Sequence, residues 1–457
     1  MVGEDSEGRE ERRKSSSSRK EILKMGKVYL CIAVVLVCSA VLADHNGDHT
    51  HEHQGGKGHQ HHQDHHGHGH HHGHGHGHHH GHHHHSTSTF ISDSTEFAFT
   101  LYKRIAAQPD QKSQNIFLSP LSIATALATL SVGARDQTHD QLFSGLGFNE
   151  TEISETEVNE AFEKVFQSLR QRTELELSVG SALFADATLK LLPKFLEDIK
   201  RYFHAEGITT DFSKISEAKD QINKYVAEKT HGKVPHFVDD LSEDTLTFLV
   251  SYIYFKGKWE KPFDPQSTHD DVFHVDASTT VPVKMMSKTS YFDVYYESES
   301  ETSVLKLSYN GSANMLLITS EKGIDDLEEK WCRQHLKKWF KGLNKQRYNV
   351  FLPRFSISTS YSMQKVLTKM GMKDIFSLDA DFSGISDEKL KVSKVIHKAT
   401  LDVDEEGSVA TGVTGVELVP LSFPPTLKFD HPFLVLITDR ETRSILFIGK
   451  IVNPTEK

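Results

Sequence analysis

Cross-links cannot hold this chain together, because cysteine is almost missing: Cys31, Cys38 and Cys332 are the three present, enough for one disulfide at most. Basic charge is short as well. Lys and Arg total 52 against 63 Asp and Glu, a formal charge of −11 over 457 residues, which excludes a protein built to neutralise nucleic-acid phosphates. No apolar run is long enough to span a bilayer; Val28–Val41 (VYLCIAVVLVCSAV) falls short. Gly-x-Ser-x-Gly, HExxH and a phosphate-cradling glycine loop are all missing, so an enzyme would lack its nucleophile, metal or phosphate site. What remains is a chain with a 37% hydrophobic fraction, ample for a large core, whose length alone suggests two or three domains.

The apolar run has Lys24 and Lys27 before it and Ala43 after it, the pattern of a secretory signal cleaved near Ala43–Asp44. Residues 1–43 are therefore read as an N-terminal extension plus signal peptide, with Met25 as a second start, and the mature protein as extracellular. Cleavage would remove Cys31 and Cys38, so stability must come from packing. Cys332, in EEKWCRQHL, is expected to pack on a helix face as a small hydrophobe.

Residues 44–89 hold 22 of the 31 histidines and almost nothing to bury, so they are expected to be disordered. The densest imidazoles are His61, His62, His65, His66, His70, His71, His72, His78, His79, His80, His82, His83, His84 and His85. Neutral imidazole ligates zinc, copper and nickel, and close spacing allows non-specific coordination without a fold; no cofactor is required elsewhere. Because His titrates near 6.5, mild acid or bound zinc would give this tail positive charge for anionic surfaces such as glycosaminoglycans.

From Phe90 to Lys457 the composition is globular. SPLSIATALATLSVGA opens with a capping Ser119 and Pro120 at the first helical position, then runs small and apolar all round, as a buried helix does. DTLTFLVSYIYFKGKW and NMLLITS are apolar β-type runs, the first fit for a strand buried on both faces. RYNVFLPRFSIS and LKVSKVIHKATLDVD alternate, and PFLVLITD and SILFIGKIV flank the turn-like RETR. Helices fall early and strands late, which predicts an α+β fold.

Near the C-terminus, EEGSVATGVTGVELVPLSFPPT obeys neither core nor surface rules. Alternate residues Ser408, Ala410, Gly412 and Thr414 are small, and no charge falls between Gly407 and Val416. One face of such a strand could enter a packed interior without overpacking or buried charge.

Taken with NIFLSPLSIATALATLSVGA, INKYVAEKTHGKV, SYIYFKGKWEKPF, VFHVD…VPVKMM, FLPRFSIS, DVDEEGS and FDHPFLVLITD…GKIVNP, this sequence resembles the serpins, and most of all their secreted antitrypsin-type branch. The resemblance covers residues 90–457 and implies one domain of three β-sheets and about nine helices with an exposed reactive-centre loop. It implies a monomer, not membrane-bound, that inhibits an extracellular serine protease by covalent trapping. The cleaved loop enters the central sheet as a new strand, a recognised form of strand addition.

Carried over residue by residue, the hinge is Glu405, Glu406, Gly407, Ser408, Ala410 and Gly412, with Glu405 pairing Arg354. Trp259 would lie where the loop first enters. Ser119, Ser122 and His397 resemble the polar cluster beneath the opening strands, where the family usually has Asn and this chain has Ser251. Bonds flanking Pro420 and Pro424 fit a protease cleft badly. Leu421–Ser422 remains between them, and counting from Glu405 as the family does gives the same bond; Leu418–Val419 is the alternative. Leu421 suits an apolar primary pocket, of chymotrypsin or elastase type. Asn149 and Asn310 head glycosylation sequons. A non-inhibitory carrier or chaperone of the same family, and a His-rich metal-binding plasma protein, are the rival functions.

Overall fold

Ser119 accepts a hydrogen bond from the Ser122 amide and Pro120 takes the first helical position, so the buried helix starts where the sequence predicts. The computed structural model describes residues 79–242, 244–406 and 423–456, with side chains from His85. Nine α-helices occur among them: α1 (His79–Ala106), α2 (Pro120–Gly133), α3 (Asp136–Gly145), α4 (Glu155–Arg170), α5 (Pro193–Phe203), α6 (Ile215–Lys229), α7 (Ile324–Lys330), α8 (Arg333–Gly342) and α9 (Gln364–Lys369). The first seven strands are β1 (Ile116–Leu118), β2 (Leu175–Asp186), β3 (Glu206–Thr210), β4 (Thr247–Gly257), β5 (His269–His274), β6 (Thr280–Glu297) and β7 (Thr302–Ser308). They are followed by β8 (Ala313–Ser320), β9 (Asn344–Pro353), β10 (Phe355–Ser362), β11 (Lys394–Val403), β12 (Thr426–Lys428), β13 (Phe433–Asp439) and β14 (Ile445–Ile451).

A five-stranded sheet runs β10-β11-β4-β2-β3, and a nine-stranded sheet contains the rest. The two smaller sheets implied by the resemblance are continuous here, because the 18-residue β6 pairs β5 at its start, β9 along its middle and β7 at its end. The predicted C-terminal hairpin is β13 with β14, and Gly449 is where they meet β1: a Cβ there would lie 2.1 Å from the Ile116 carbonyl oxygen.

β4 is buried over nine consecutive residues because both sides of its sheet are covered. Leu249, Ile253 and Phe255 face the main core with Ile123, Leu127 and Leu130 of α2. The alternate residues Phe248, Val250 and Tyr252 face a second cluster under α6, formed by Ala218, Ile222 and Val226. Strand geometry sends neighbours to opposite faces, so two apolar layers require an unbroken apolar run.

His76–Lys457 forms one compact unit, so the length-based expectation of several domains gives way. α1 begins at His79, ahead of Phe90. Adding a residue to an existing helix costs far less than starting one, and the Ser86 hydroxyl hydrogen-bonds Glu157 on α4. Among the described residues no helix is long and apolar enough to cross a membrane.

Candidate functional site

The five-stranded sheet has one parallel pair at its edge, β2 with β3, and another in its interior. β11 and β4 are parallel and directly paired, from Lys394 against Phe248 to Leu401 against Phe255. A segment that left the end of β11 and folded back would run antiparallel to both strands, so it could hydrogen-bond on each side if they parted.

A clamp holds the exit of β11. Trp259, just past β4, donates its indole N–H to the Asp404 carbonyl at 2.8 Å and stacks on Tyr309 at 4.3 Å. That stacking needs Gly257, where a Cβ would meet the Tyr309 ring at 2.4 Å. Glu405 is 5% exposed, yet Arg354 donates to its Oε1 at 2.5 Å and Thr268 at 2.6 Å. Burial pushes the Glu405 carboxyl up, but these hydrogen bonds outweigh it and hold the group below the usual carboxylate range. Glu406 pairs Lys256 at 3.4 Å, after which the described chain stops; it resumes at the fully exposed Phe423.

Beneath the paired strands sits a buried polar chain. The Ser119 amide donates to His397 Nε2 at 3.0 Å, which places the ring proton on Nδ1. Nδ1–H can then donate to Ser251 Oγ at 3.1 Å, Ser251 to Ser122 Oγ at 2.7 Å, and Ser122 to the Tyr252 carbonyl at 3.1 Å. Every donor has an acceptor, so the chain is satisfied in one direction only. Because His397 and Ser251 pair across β11 and β4, it pins the two strands together. Burial depresses the His397 pKa to about 3.

A serine beside a histidine invites comparison with a hydrolase, and the geometry excludes it. Nδ1 already carries its proton and cannot accept one from Ser251, and both residues are wholly inaccessible to substrate.

Sequence reasoning did not foresee Thr268, Tyr309 or the Lys256–Glu406 pair; these contacts join segments far apart in the chain and leave no local signal. It also missed two lysines on the outer face of β11. Lys394 donates to the Asp240 carbonyl at 3.0 Å and Lys398 to that of His236, which straps the chain after α6 across the strand.

Gly407, Ser408, Ala410, Gly412, Leu421 and Ser422 lie outside the described residues. So do His61, His62, His65, His66, His70, His71, His72 and His78, and the side chains of His79, His80, His82, His83 and His84. His85 is exposed at the edge of the described side chains. Asn149 is exposed, its Oδ1 accepting from the Thr151 amide and hydroxyl at 3.0 and 2.9 Å. Asn310 is half-buried in the turn between β7 and β8. Cys332 differs from expectation. It is a half-buried free thiol at the N-cap of α8, 3.2 Å from His335 Nδ1.

Known proteins resemble this chain in sequence and in fold. The serpin (serine protease inhibitor) family matches residues 92–454. Alpha-1-antitrypsin of Meriones unguiculatus is 46% identical over 368 residues, 80% of this chain and 90% of that protein. The hibernation-specific plasma protein HP-55 of Tamias sibiricus is 44% identical over 365 residues, 79% and 88% of the two chains. Human thyroxine-binding globulin, solved with its hormone, is 40% identical with a TM-score of 0.76, covering 81% of this chain and 100% of its own. The chain belongs to the serpin, or serine protease inhibitor, family and is not an enzyme.

Proposed function

We propose that this protein is a secreted inhibitor of a chymotrypsin- or elastase-like serine protease, acting as a suicide substrate with Leu421–Ser422 as the bait bond. The parallel pairing of β11 with β4 is the observation that carries the reading, because it leaves a register that the chain following β11 can fill once cut. The protease serine Oγ attacks the Leu421 carbonyl, the peptide bond to Ser422 breaks, and the new amine leaves with a proton from the protease histidine. The acyl-enzyme forms on Leu421. The freed hinge then enters between β11 and β4, dragging the tethered protease away before water can release it. On the order of ten new ladder hydrogen bonds at about 1 kcal/mol each provide roughly 10 kcal/mol. That rivals the stability of an ordinary domain, so the uncut state is a kinetic trap.

Secretion follows from the signal-like 1–43 segment and from relatives that include a plasma protein. Asn149 and Asn310 are the glycan sites in this reading. The His-rich tail takes up zinc, copper or nickel and, so charged, holds glycosaminoglycans.

A hormone-carrier reading has one observation in its favour, the likeness to thyroxine-binding globulin. The small uncharged residues Ser408, Ala410 and Gly412 favour inhibition, since a carrier has no need of an insertable strand. Incubation with chymotrypsin tests the choice. A covalent complex that survives boiling in detergent, with cleavage after Leu421, supports inhibition; cleaved loop with fully active protease rejects it.

A further inference from the structure

His139 stands on α3, in a notch against the first turn of α4. Its ring stacks on Phe143 at 5.7 Å, and its side chain is 13% exposed. The two nitrogens face different carboxylates. Nε2 is buried and lies 3.1 Å from Glu155 Oε2, close enough for an ion pair but out of line for a hydrogen bond. Nδ1 faces Asp140 Oδ1 and Glu150 Oε1, each 3.7 Å away and beyond hydrogen-bond reach.

We propose that His139 Nδ1, Asp140 and Glu150 form a site for a divalent cation of the zinc type, with Glu155 orienting the imidazole from behind. The three donor atoms lie within 4.8 Å of one another. Zinc held at about 2.1 Å by nitrogen and carboxylate oxygen needs tetrahedral donors about 3.4 Å apart. The Asp140 and Glu150 side chains are 72% and 63% exposed, which leaves both room to rotate toward that spacing. A ligating histidine whose other nitrogen meets a carboxylate is the arrangement that fixes tautomer and ring in known metal sites. One position stays open to water. A mixed nitrogen and oxygen set favours zinc over calcium or magnesium, which take oxygen alone. The ion would tie α3 to the loop before α4 that carries Asn149.

A proton is the rival occupant of Nδ1. The carboxylates around it, Glu155 first and then Glu150 and Asp140, raise the His139 pKa above its ordinary value, and burial opposes them.

This proposal is independent of the inhibitory mechanism and of the His-rich tail. The corresponding region is the whole of a folded relative, so residues 86–457 fold without that tail, whose imidazoles would mask the site. Zinc chloride titrated calorimetrically into residues 86–457 is the test. One zinc per chain is expected. Glu150→Gln should weaken binding by tenfold or more, Glu155→Gln by about tenfold through the imidazole, and the exposed His236→Ala not at all. His139→Ala should abolish binding, and Glu150→Gln, at an exposed position, covers the case in which that variant misfolds. No heat up to millimolar zinc, or equal binding in the parent and Glu150→Gln, overturns the site.

Discussion

His397 Nδ1 lies 3.1 Å from Ser251 Oγ while its Nε2 accepts the Ser119 amide, so the residue that joins β11 to β4 is a neutral imidazole with no room for a second proton. The folded pKa is about 3, against about 6.5 for histidine in an unfolded chain. Between those values the unfolded state binds more protons, so stability falls as pH falls, by about 1.4 kcal/mol per unit. From pH 7 to pH 5 the loss due to His397 comes to about 2 kcal/mol. Carboxylates held below their ordinary range contribute only near and below pH 4, whereas Asp93, raised to about 6 by burial, titrates in this window with the opposite sign, its folded state gaining protons as pH falls. Denaturant melts at both pH values should show the loss in the parent. The loss should be smaller by about 2 kcal/mol in His397→Gln, which can accept from Ser119 and donate to Ser251 without titrating, while Asp93, His139 and His204 titrate alike in both proteins. An equal loss in both proteins would assign the effect elsewhere.

The clamp on Glu405 makes a second prediction. Arg354→Ala leaves a buried carboxylate with Thr268 alone. Because Arg354 is itself half exposed, a cost of about 1 kcal/mol is expected rather than the larger cost of a fully buried pair. With the hinge loosened, conversion of uncut protein to an inactive inserted form on warming should speed up. The depressed Glu405 pKa keeps the clamp intact at neutral pH; its contribution, full above the unfolded carboxylate range, is lost as pH falls through the lower folded value. Timed loss of inhibitory activity at a fixed temperature reads this, and identical decay in parent and variant would remove the clamp's role.

The strap over β11 should resist strand entry. Lys394 and Lys398 hold the carbonyls of Asp240 and His236 across the outer face of the strand that must separate from β4. Lys398→Ala, which keeps the paired register, should therefore accelerate insertion of a synthetic hinge peptide, followed by native gel mobility. Slower or unchanged uptake counts against the strap.

Face alternation in the loop gives a sharper test. Ala410→Glu places a charge on the face that enters the packed interior and should turn the inhibitor into a substrate, cut without a stable complex. Val409→Glu puts the charge on the opposite face, where β11 carries the half-buried Lys394 and Lys398, and should retain most complex formation. Equal effects at both positions would mean that the segment does not insert as a strand.

How much of this the sequence revealed depends on the range of the interaction. The cap at Ser119, the doubly buried β4 and the β13–β14 hairpin are local or periodic signals, legible from residue spacing. The Arg354–Glu405 pair and the Ser119–Ser122–Ser251–His397 grouping became visible through family resemblance, because partners up to 278 residues apart share no local pattern. Thr268, the lysine strap and the second carboxylate shell around His139 came from neither. Cys332 reads as a core hydrophobe by composition, yet its position at a helix cap beside His335 is set by the chain's entry into α8.

Melting of the protein before and after cleavage at Leu421–Ser422 tests the central claim most directly. If β11 and β4 part to admit the severed hinge, the cut protein should melt higher by about 13 °C, the shift that roughly 10 kcal/mol produces in a domain of this size. A cut protein that melts at the same temperature as the intact one would show that the uncut fold stores no such free energy.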